Sequence, residues 1–132
     1  MIKLISKEEQ QIRAIFGGRF VENKPIPFPD IRKKYNYSNL FYWAHLEAIE
    51  TAEFPLHPHE GFEIMTFVLE GTVEHFDTKT NVWTKIQKDG FQVIQSGSGV
   101  YHGERITKDS RVFQIWFDPD FSKTLKEEPS YK

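Results

Sequence analysis

The chain has 132 residues, 39% of them hydrophobic, which is enough for one domain with a core of ordinary size. Its 17 basic and 19 acidic residues are interspersed and give a net charge of -2, so neither nucleic acid nor a membrane is an expected partner. There is no apolar run of the length of a spanning helix and no secretory signal at residues 1–7, which favours a cytoplasmic protein. Because there is no cysteine, any metal must be bound by nitrogen and oxygen ligands.

The first part of the chain predicts a helical turn followed by extended segments. Ser6 and Glu9 have the spacing of a capping box. Residues 10–16 fit either a helix or a strand, and we favour the strand. The alternating prolines of residues 24–29 predict an extended loop, because proline cannot donate to a sheet ladder. Residues 40–49 have apolar side chains at both odd and even positions, which is typical of a strand covered on both faces.

The rest of the chain consists of short apolar segments separated by turn residues. Residues 63–69 and 72–76 flank the turn signal Glu70-Gly71, and we expect them to form a β-hairpin. Three more strands are expected, at residues 82–86, 91–94 and 111–117. Several short strands at nearly regular spacing predict an all-β sandwich or barrel, in one domain covering residues 1–132.

Two short pairs of metal-ligand residues frame the predicted hairpin. The first is His57 and His59, separated by a proline, and the second is His102 and Glu104, which follows a glycine-rich turn at residues 96–99. Side chains alternate between the two faces of a strand, so both members of each pair can lie on one face. If the two strands line one cavity, three imidazoles and one carboxylate converge and form a metal site.

Imidazole and carboxylate ligands suit iron, nickel, copper, zinc and manganese. Four protein ligands leave one or two positions free on a five- or six-coordinate ion, and oxygen, water or a chelating substrate can bind there. A tetrahedral zinc ion would be saturated by the same four ligands and would then be structural. The ligand count alone therefore leaves both a catalytic and a structural site open.

Other residues are candidates for the same cavity. Glu63 shares the parity of His57 and His59, and it is the second choice as a ligand or as a residue that orients one. His45 and His75 lie within apolar strands, where a histidine is more often a hydrogen-bonded core residue than a ligand. Five further residues are expected to line the cavity: Phe62, Met65, Gln92, Gln95 and Tyr101.

With these segments the chain resembles the N-terminal cupin domain of the pirin family. The segments that carry the resemblance are residues 57–59, 62–75, 90–92, 96–104 and 114–116. The resemblance implies a cupin double-stranded β-helix, or jelly-roll barrel, with its ligand-bearing core at about residues 40–117. It also implies a metal ion, generally iron, bound by His57, His59, His102 and Glu104.

Two departures from the family pattern bear on assembly and on the cavity. Typical pirins have a second barrel, whereas this sequence ends where that barrel would begin, so we expect a homodimer to supply the partner barrel. Arg105 stands where the family often has a smaller or apolar residue, which alters the mouth of the cavity.

Some pirin-like proteins are quercetin 2,3-dioxygenases and others act as metal-dependent regulators. We therefore expect a metal-binding dioxygenase that acts on a small chelating aromatic or enol substrate, with Fe²⁺ before Ni, Cu, Mn or Zn. In this interpretation Glu104 acts as ligand and proton acceptor, and Glu63 supports it. The alternative is a non-catalytic, metal-dependent binding or regulatory protein. A cupin of the sugar-isomerase kind is disfavoured by the apolar segment 64–69.

Overall fold

The structure is a computed structural model that describes residue 2, residues 4–26 and residues 38–132. In these ranges the chain forms eleven strands, one short α-helix and two 3-10 turns. The strands are β1 (Gln11–Ile15), β2 (Phe20–Ile26), β3 (Leu40–Ala48), β4 (Ala52–His59), β5 (Glu63–Glu70), β6 (Thr72–Asp77), β7 (Trp83–Gln87), β8 (Phe91–Gln95), β9 (Val100–Ile106), β10 (Arg111–Phe117) and β11 (Ser130–Tyr131), and the helix is α1 (Phe121–Thr124).

The strands form two antiparallel sheets, as expected for a jelly-roll barrel. The larger sheet has the strand order β1-β2-β3-β10-β5-β8-β11, and the smaller sheet has the order β4-β9-β6-β7. Each neighbouring pair is antiparallel. The all-β cupin fold predicted from the sequence is confirmed.

The core lies between the two sheets and consists of two clusters of apolar side chains. The larger cluster comprises Phe20, Leu46, Ala48, Ala52, Val68, Val73, Ile86, Ile106 and Val112, and the smaller comprises Ile64, Ile94 and Val100. Both sheets contribute to the larger cluster. Burying each large apolar side chain stabilises the fold by about 1.5–3 kcal/mol, so these clusters hold the sheets together.

Strand β3 is buried mainly on its inward face. Tyr42, Ala44 and Leu46 are at most 5% exposed, whereas the outward Trp43 is 36% exposed. The prediction of a strand fully covered on both faces is therefore wrong for its outward face.

The predicted hairpin between β5 and β6 is also wrong, although both strands exist. β5 pairs with β10 and β8 in the larger sheet, and β6 pairs with β9 and β7 in the smaller one. Gly71 makes this change of sheet with a φ of 76°, in contact with Ser110. The hydroxyl of Ser110 accepts a hydrogen bond from the backbone N–H of Thr72 (2.9 Å) and fixes the corner. Turn residues indicate where a strand ends but not which sheet the next one joins.

The N-terminal predictions are largely confirmed. The backbone N–H of Ser6 donates to Glu9 (2.9 Å) in a capping box, and the favoured strand is β1. β2 continues through Pro25 to Ile26, so this part of the predicted loop is a strand, and the register of β2 against β3 shifts after Asn23. The remaining prolines, at positions 27 and 29, lie outside the described residues. No helix in the described ranges has the length and hydropathy needed to cross a membrane.

Candidate metal centre

The inner face of the smaller sheet brings both predicted ligand pairs together. β4 and β9 are antiparallel neighbours, and the Cα of His57 pairs with that of His102. β6 lies on the other side of β9, where His75 pairs with Glu104. Paired residues on neighbouring strands point to the same face of a sheet, so the three strands aim their polar side chains into the barrel.

Three imidazole rings lie in mutual contact. The ring centroids of His57 and His59 are 4.9 Å apart, those of His57 and His102 are 4.4 Å apart, and those of His59 and His102 are 4.8 Å apart. One ligand nitrogen from each ring lies within 4.8 Å of the others. Three nitrogen ligands of one ion, each at about 2.1 Å from it, lie roughly 3.0–3.6 Å from one another. Shifts of up to about 1 Å per ring would thus allow all three rings to bind one ion.

Glu104 belongs to a second group that shares His102 with the first. Ligand atoms of His75, His102 and Glu104 also lie within 4.8 Å of one another. The side-chain amide of Gln114 donates to the Glu104 carboxyl at 3.3 Å, and the indole N–H of Trp116 donates to the amide oxygen of Gln114 at 3.0 Å. Glu104 is therefore adjacent to the three histidines and held from the opposite sheet. Its role as the fourth ligand stays a prediction.

The histidine nitrogens have the properties that a metal site requires. Nε2 of His59, His75 and His102 is buried without a hydrogen-bond partner in the described part of the chain. An unpaired buried polar atom costs about 1–3 kcal/mol, which a bound ion would offset. Burial, together with neighbouring His57, lowers the pKa of His59 to about 4 and that of His102 to about 2. Both rings are neutral at pH 7, as metal ligands must be.

The carboxyl of Glu104 is in the opposite situation. Burial raises its pKa to about 7, and the hydrogen bond from Gln114 opposes this increase only partly. A cation beside the carboxyl would favour its charged form and lower that pKa. Glu104 can therefore hold a proton when no cation is near and release it when a cation binds.

His75 is the residue that the sequence analysis did not connect with the site. It is buried, as predicted for a core histidine, but its Nδ1 lies 3.4 Å from Nδ1 of His102. Its Nε2 faces a carboxylate oxygen of Asp77 at 3.6 Å. If His102 binds a metal through Nε2, its Nδ1–H can donate to His75, whose other nitrogen then carries its proton towards Asp77. The sequence offered no local signal for this contact, because it depends on the register of β6 against β9.

The structure does not place Glu63 at the site. Glu63 begins β5 in the larger sheet and accepts a hydrogen bond from the amide of Gln95 (2.9 Å). The parity argument failed because a turn at residues 60–62 separates Glu63 from β4. Of the other predicted lining residues, Phe62 packs its ring 5.7 Å from that of His59, whereas Tyr101 is 54% exposed and Met65 lies on the outer side of β5.

The imidazoles of His57 and His59 open onto a cavity of about 570 Å³. Most of its wall is apolar, from Leu46, Phe54, Val73, Ile106, Val112 and Trp116. Cavities of about 300–1,000 Å³ with apolar walls and few polar groups are typical of small-molecule sites.

Comparisons with known proteins agree with this arrangement. The sequence profile of the family described as Pirin matches residues 26–117. A pirin-like protein of Caulobacter vibrioides is 36% identical over 86 residues (64% of this chain, 37% of the relative), and the quercetin 2,3-dioxygenase of Escherichia coli K12 is 38% identical over 78 residues (56% and 33%). The solved structure of the Escherichia coli pirin YhhW in complex with nickel(II) superimposes with a TM-score of 0.85 at 27% identity, covering all of this chain and 57% of YhhW. The match thus spans about a third of the length of the curated relatives.

Proposed function

This chain belongs to the pirin family, and on that premise we propose that it binds one divalent transition-metal ion and oxygenates a chelating aromatic or enol substrate, as a quercetinase does. The observation that carries the proposal is the convergence of His57, His59 and His102 beside an apolar cavity, which His57 and His59 line. Glu104 completes the ligand set. The names of the relatives and the nickel complex of the similar structure support this chemistry.

Fe²⁺ is the ion that we propose, ahead of Ni, Cu, Mn and Zn. Three imidazoles and a carboxylate suit each of these ions. When bound, the ion supplies Lewis acidity towards an enolate oxygen of the substrate and a site at which O2 reacts.

The chain's own residues supply orientation, proton transfer and exclusion of water. The Glu104 carboxylate would accept the proton of the substrate hydroxyl, and Gln114 holds the carboxyl in place. The indole of Trp116 lies 5.2 Å from the ring of His59 and is stacked between Tyr42 and Phe62, so this aromatic group forms an apolar wall beside the candidate ligands. The apolar floor keeps bulk water away from the reacting atoms.

The first experiment is elemental analysis of the purified protein beside a His57→Ala/His102→Ala double variant. His45→Ala serves as the control, because His45 lies on β3 outside both groups of possible ligands. We expect about one equivalent of metal in the wild type and in the control, and loss of that metal in the double variant. Equal and negligible metal in all three proteins after reconstitution would contradict the site.

Oxygen uptake with a flavonol then tests the reaction. We expect the iron-loaded wild type to consume O2 together with the flavonol, and the double variant to consume neither. Stoichiometric metal without any oxygen uptake across a panel of chelating aromatic and enol substrates would refute the dioxygenase and leave the non-catalytic regulatory protein as the better account.

A further inference from the structure

The end of the cavity beyond the aromatic wall carries a buried polar cluster. Lys24 and Glu22, both on β2, form an ion pair at 3.1 Å and are 1% and 5% exposed. The hydroxyl of Tyr42 donates to Glu22 (3.1 Å) and accepts from Lys24 (3.2 Å). All three residues line the same cavity as the histidines.

Two aromatic rings lie between this cluster and the metal ligands. The ring of Trp116 contacts that of His59 at 5.2 Å on one side and stacks on that of Tyr42 at 4.2 Å on the other. The indole of Trp116 is also stacked on Phe62 at 5.9 Å, so a ligand that reaches from His59 to Lys24 would pass along the edges of this aromatic stack. This favours a planar, elongated molecule with polar groups at both ends.

A second cation, Arg13, stands at the mouth of the cavity above the cluster. Arg13 lies on β1 as the Cα partner of Glu22, so both side chains point to the same face of the sheet, and Arg13 lines the cavity. Arg13 takes part in none of the ion pairs within 4.0 Å among the described residues. Among the described residues that line this end of the cavity, two carry a positive charge and one carries a negative charge at neutral pH.

We propose that this cationic end, formed by Arg13, Glu22 and Lys24, binds an anionic oxygen group of the substrate. The inference rests on the proposed function and narrows its substrate class to planar aromatic compounds with a chelating keto-enol at one end and a carboxylate at the other. Arginine presents a planar fork that matches a carboxylate. Lys24 is paired with Glu22, so it would attract the bound anion through its positive charge and not through a hydrogen bond.

The charge of Arg13 already acts on the cluster. Burial lowers the pKa of Lys24, Glu22 opposes this, and the charge of Arg13 adds to the lowering. The two like charges repel one another, and an anion bound between them would relieve that repulsion. A neutral ligand would gain nothing from this interaction.

The test compares two ligands that differ by one carboxylate group, on the metal-loaded protein. The ligands are 3-hydroxyflavone and its derivative with a carboxylate on the ring remote from the chelating oxygens. The variants are Arg13→Gln and Arg19→Gln. Arg19 is a matched control because it loses the same charge from a surface ion pair with Glu50 (3.5 Å), and it does not line the cavity.

We expect the wild type and Arg19→Gln to bind the carboxylate derivative about five-fold more tightly than the neutral flavone, a preference that decreases with added salt. Arg13→Gln is expected to lose this preference while it binds the neutral flavone as the wild type does. An unchanged preference in Arg13→Gln would overturn the proposal. Replacing Lys24 is a poorer test, because it would leave Glu22 buried without its cation.

A third ligand separates this inference from the proposed function. If the wild type and the His57→Ala/His102→Ala double variant bind the neutral flavone equally well, the proposed function fails. The cationic end can still be tested with 2-naphthoate, which lacks the keto-enol. Weaker binding of 2-naphthoate to Arg13→Gln than to Arg19→Gln supports the anion site, and equal binding to both variants refutes it.

Discussion

Replacing Glu104 by glutamine should change the pH dependence of stability of the metal-free protein. The folded-state pKa of this buried carboxyl is about 7, against an ordinary value of 4.5. Between these two values the folded state binds more protons than the unfolded state, so this carboxyl makes the wild type less stable as the pH rises. The folded-state pKa exceeds the ordinary value by about 2.5, which lowers the free energy of unfolding by about 3 kcal/mol at a pH above both values. Between pH 5 and pH 8 the loss of stability from this cause is about 2.5 kcal/mol.

Glu104→Gln removes this titration and keeps the shape of the side chain. Its amide needs a new hydrogen-bond partner, which costs about 1–3 kcal/mol at every pH, so the readout is the change with pH and not the absolute stability. Urea denaturation of both metal-free proteins at pH 5 and pH 8 should show the variant gaining about 2.5 kcal/mol relative to the wild type at the higher pH. The histidines titrate in both proteins and therefore largely cancel in the difference.

Adding metal should reverse the order of stability of the wild type and Glu104→Gln. A bound divalent ion stabilises the protein that binds it more tightly, and the wild type retains its anionic ligand. With metal present at pH 8, Glu104→Gln should therefore be the less stable protein. Parallel stability curves for the two metal-free proteins would refute the buried, proton-holding carboxyl.

Three further substitutions test other parts of the structure. His75→Phe keeps a ring but removes the nitrogen beside the ligand histidine, so chelator competition should show a metal Kd about 10–100-fold weaker; an unchanged Kd would contradict the orienting role. Lys24→Met leaves the Glu22 carboxylate buried and unpaired and should cost about 3–5 kcal/mol in urea denaturation, with part of the loss recovered in the double variant that adds Glu22→Leu; simply additive losses would count against the pair. Gly71→Ala places a Cβ 2.1 Å from a neighbouring side-chain oxygen and should lower the Tm more than Gly18→Ala, where the added Cβ meets open space, and equal Tm values would refute this.

The sequence correctly predicted the features that depend on residues close together in the chain. Alternation along a strand placed His57 with His59 and His102 with Glu104, and the structure brings both pairs to the inner face of one sheet. Short apolar segments with turn residues predicted the strands, because β-branched and aromatic residues fit a pleated, half-buried surface.

The failures at the hairpin and at the site concern which strands become neighbours. The change of sheet at Gly71 separates two strands that are adjacent in sequence. Glu63 has the right parity but belongs to the wrong sheet, and His75 reaches His102 only through the register of two distant strands. Strand pairing is decided by long-range packing, which a single sequence does not display.

The position of β4 has a mechanical consequence. Within the described residues β4 is the edge of the smaller sheet and pairs only with β9, and its pairing shifts register between Phe54 and His57. An edge strand with an interrupted ladder opens more easily than a central one. An ion bound by His57 and His59 from β4 and by His102 from β9 would cross-link these two strands. Loss of the ion would then expose the backbone amides of β4 to hydrogen exchange, so the occupancy of the site would also set how readily the barrel opens.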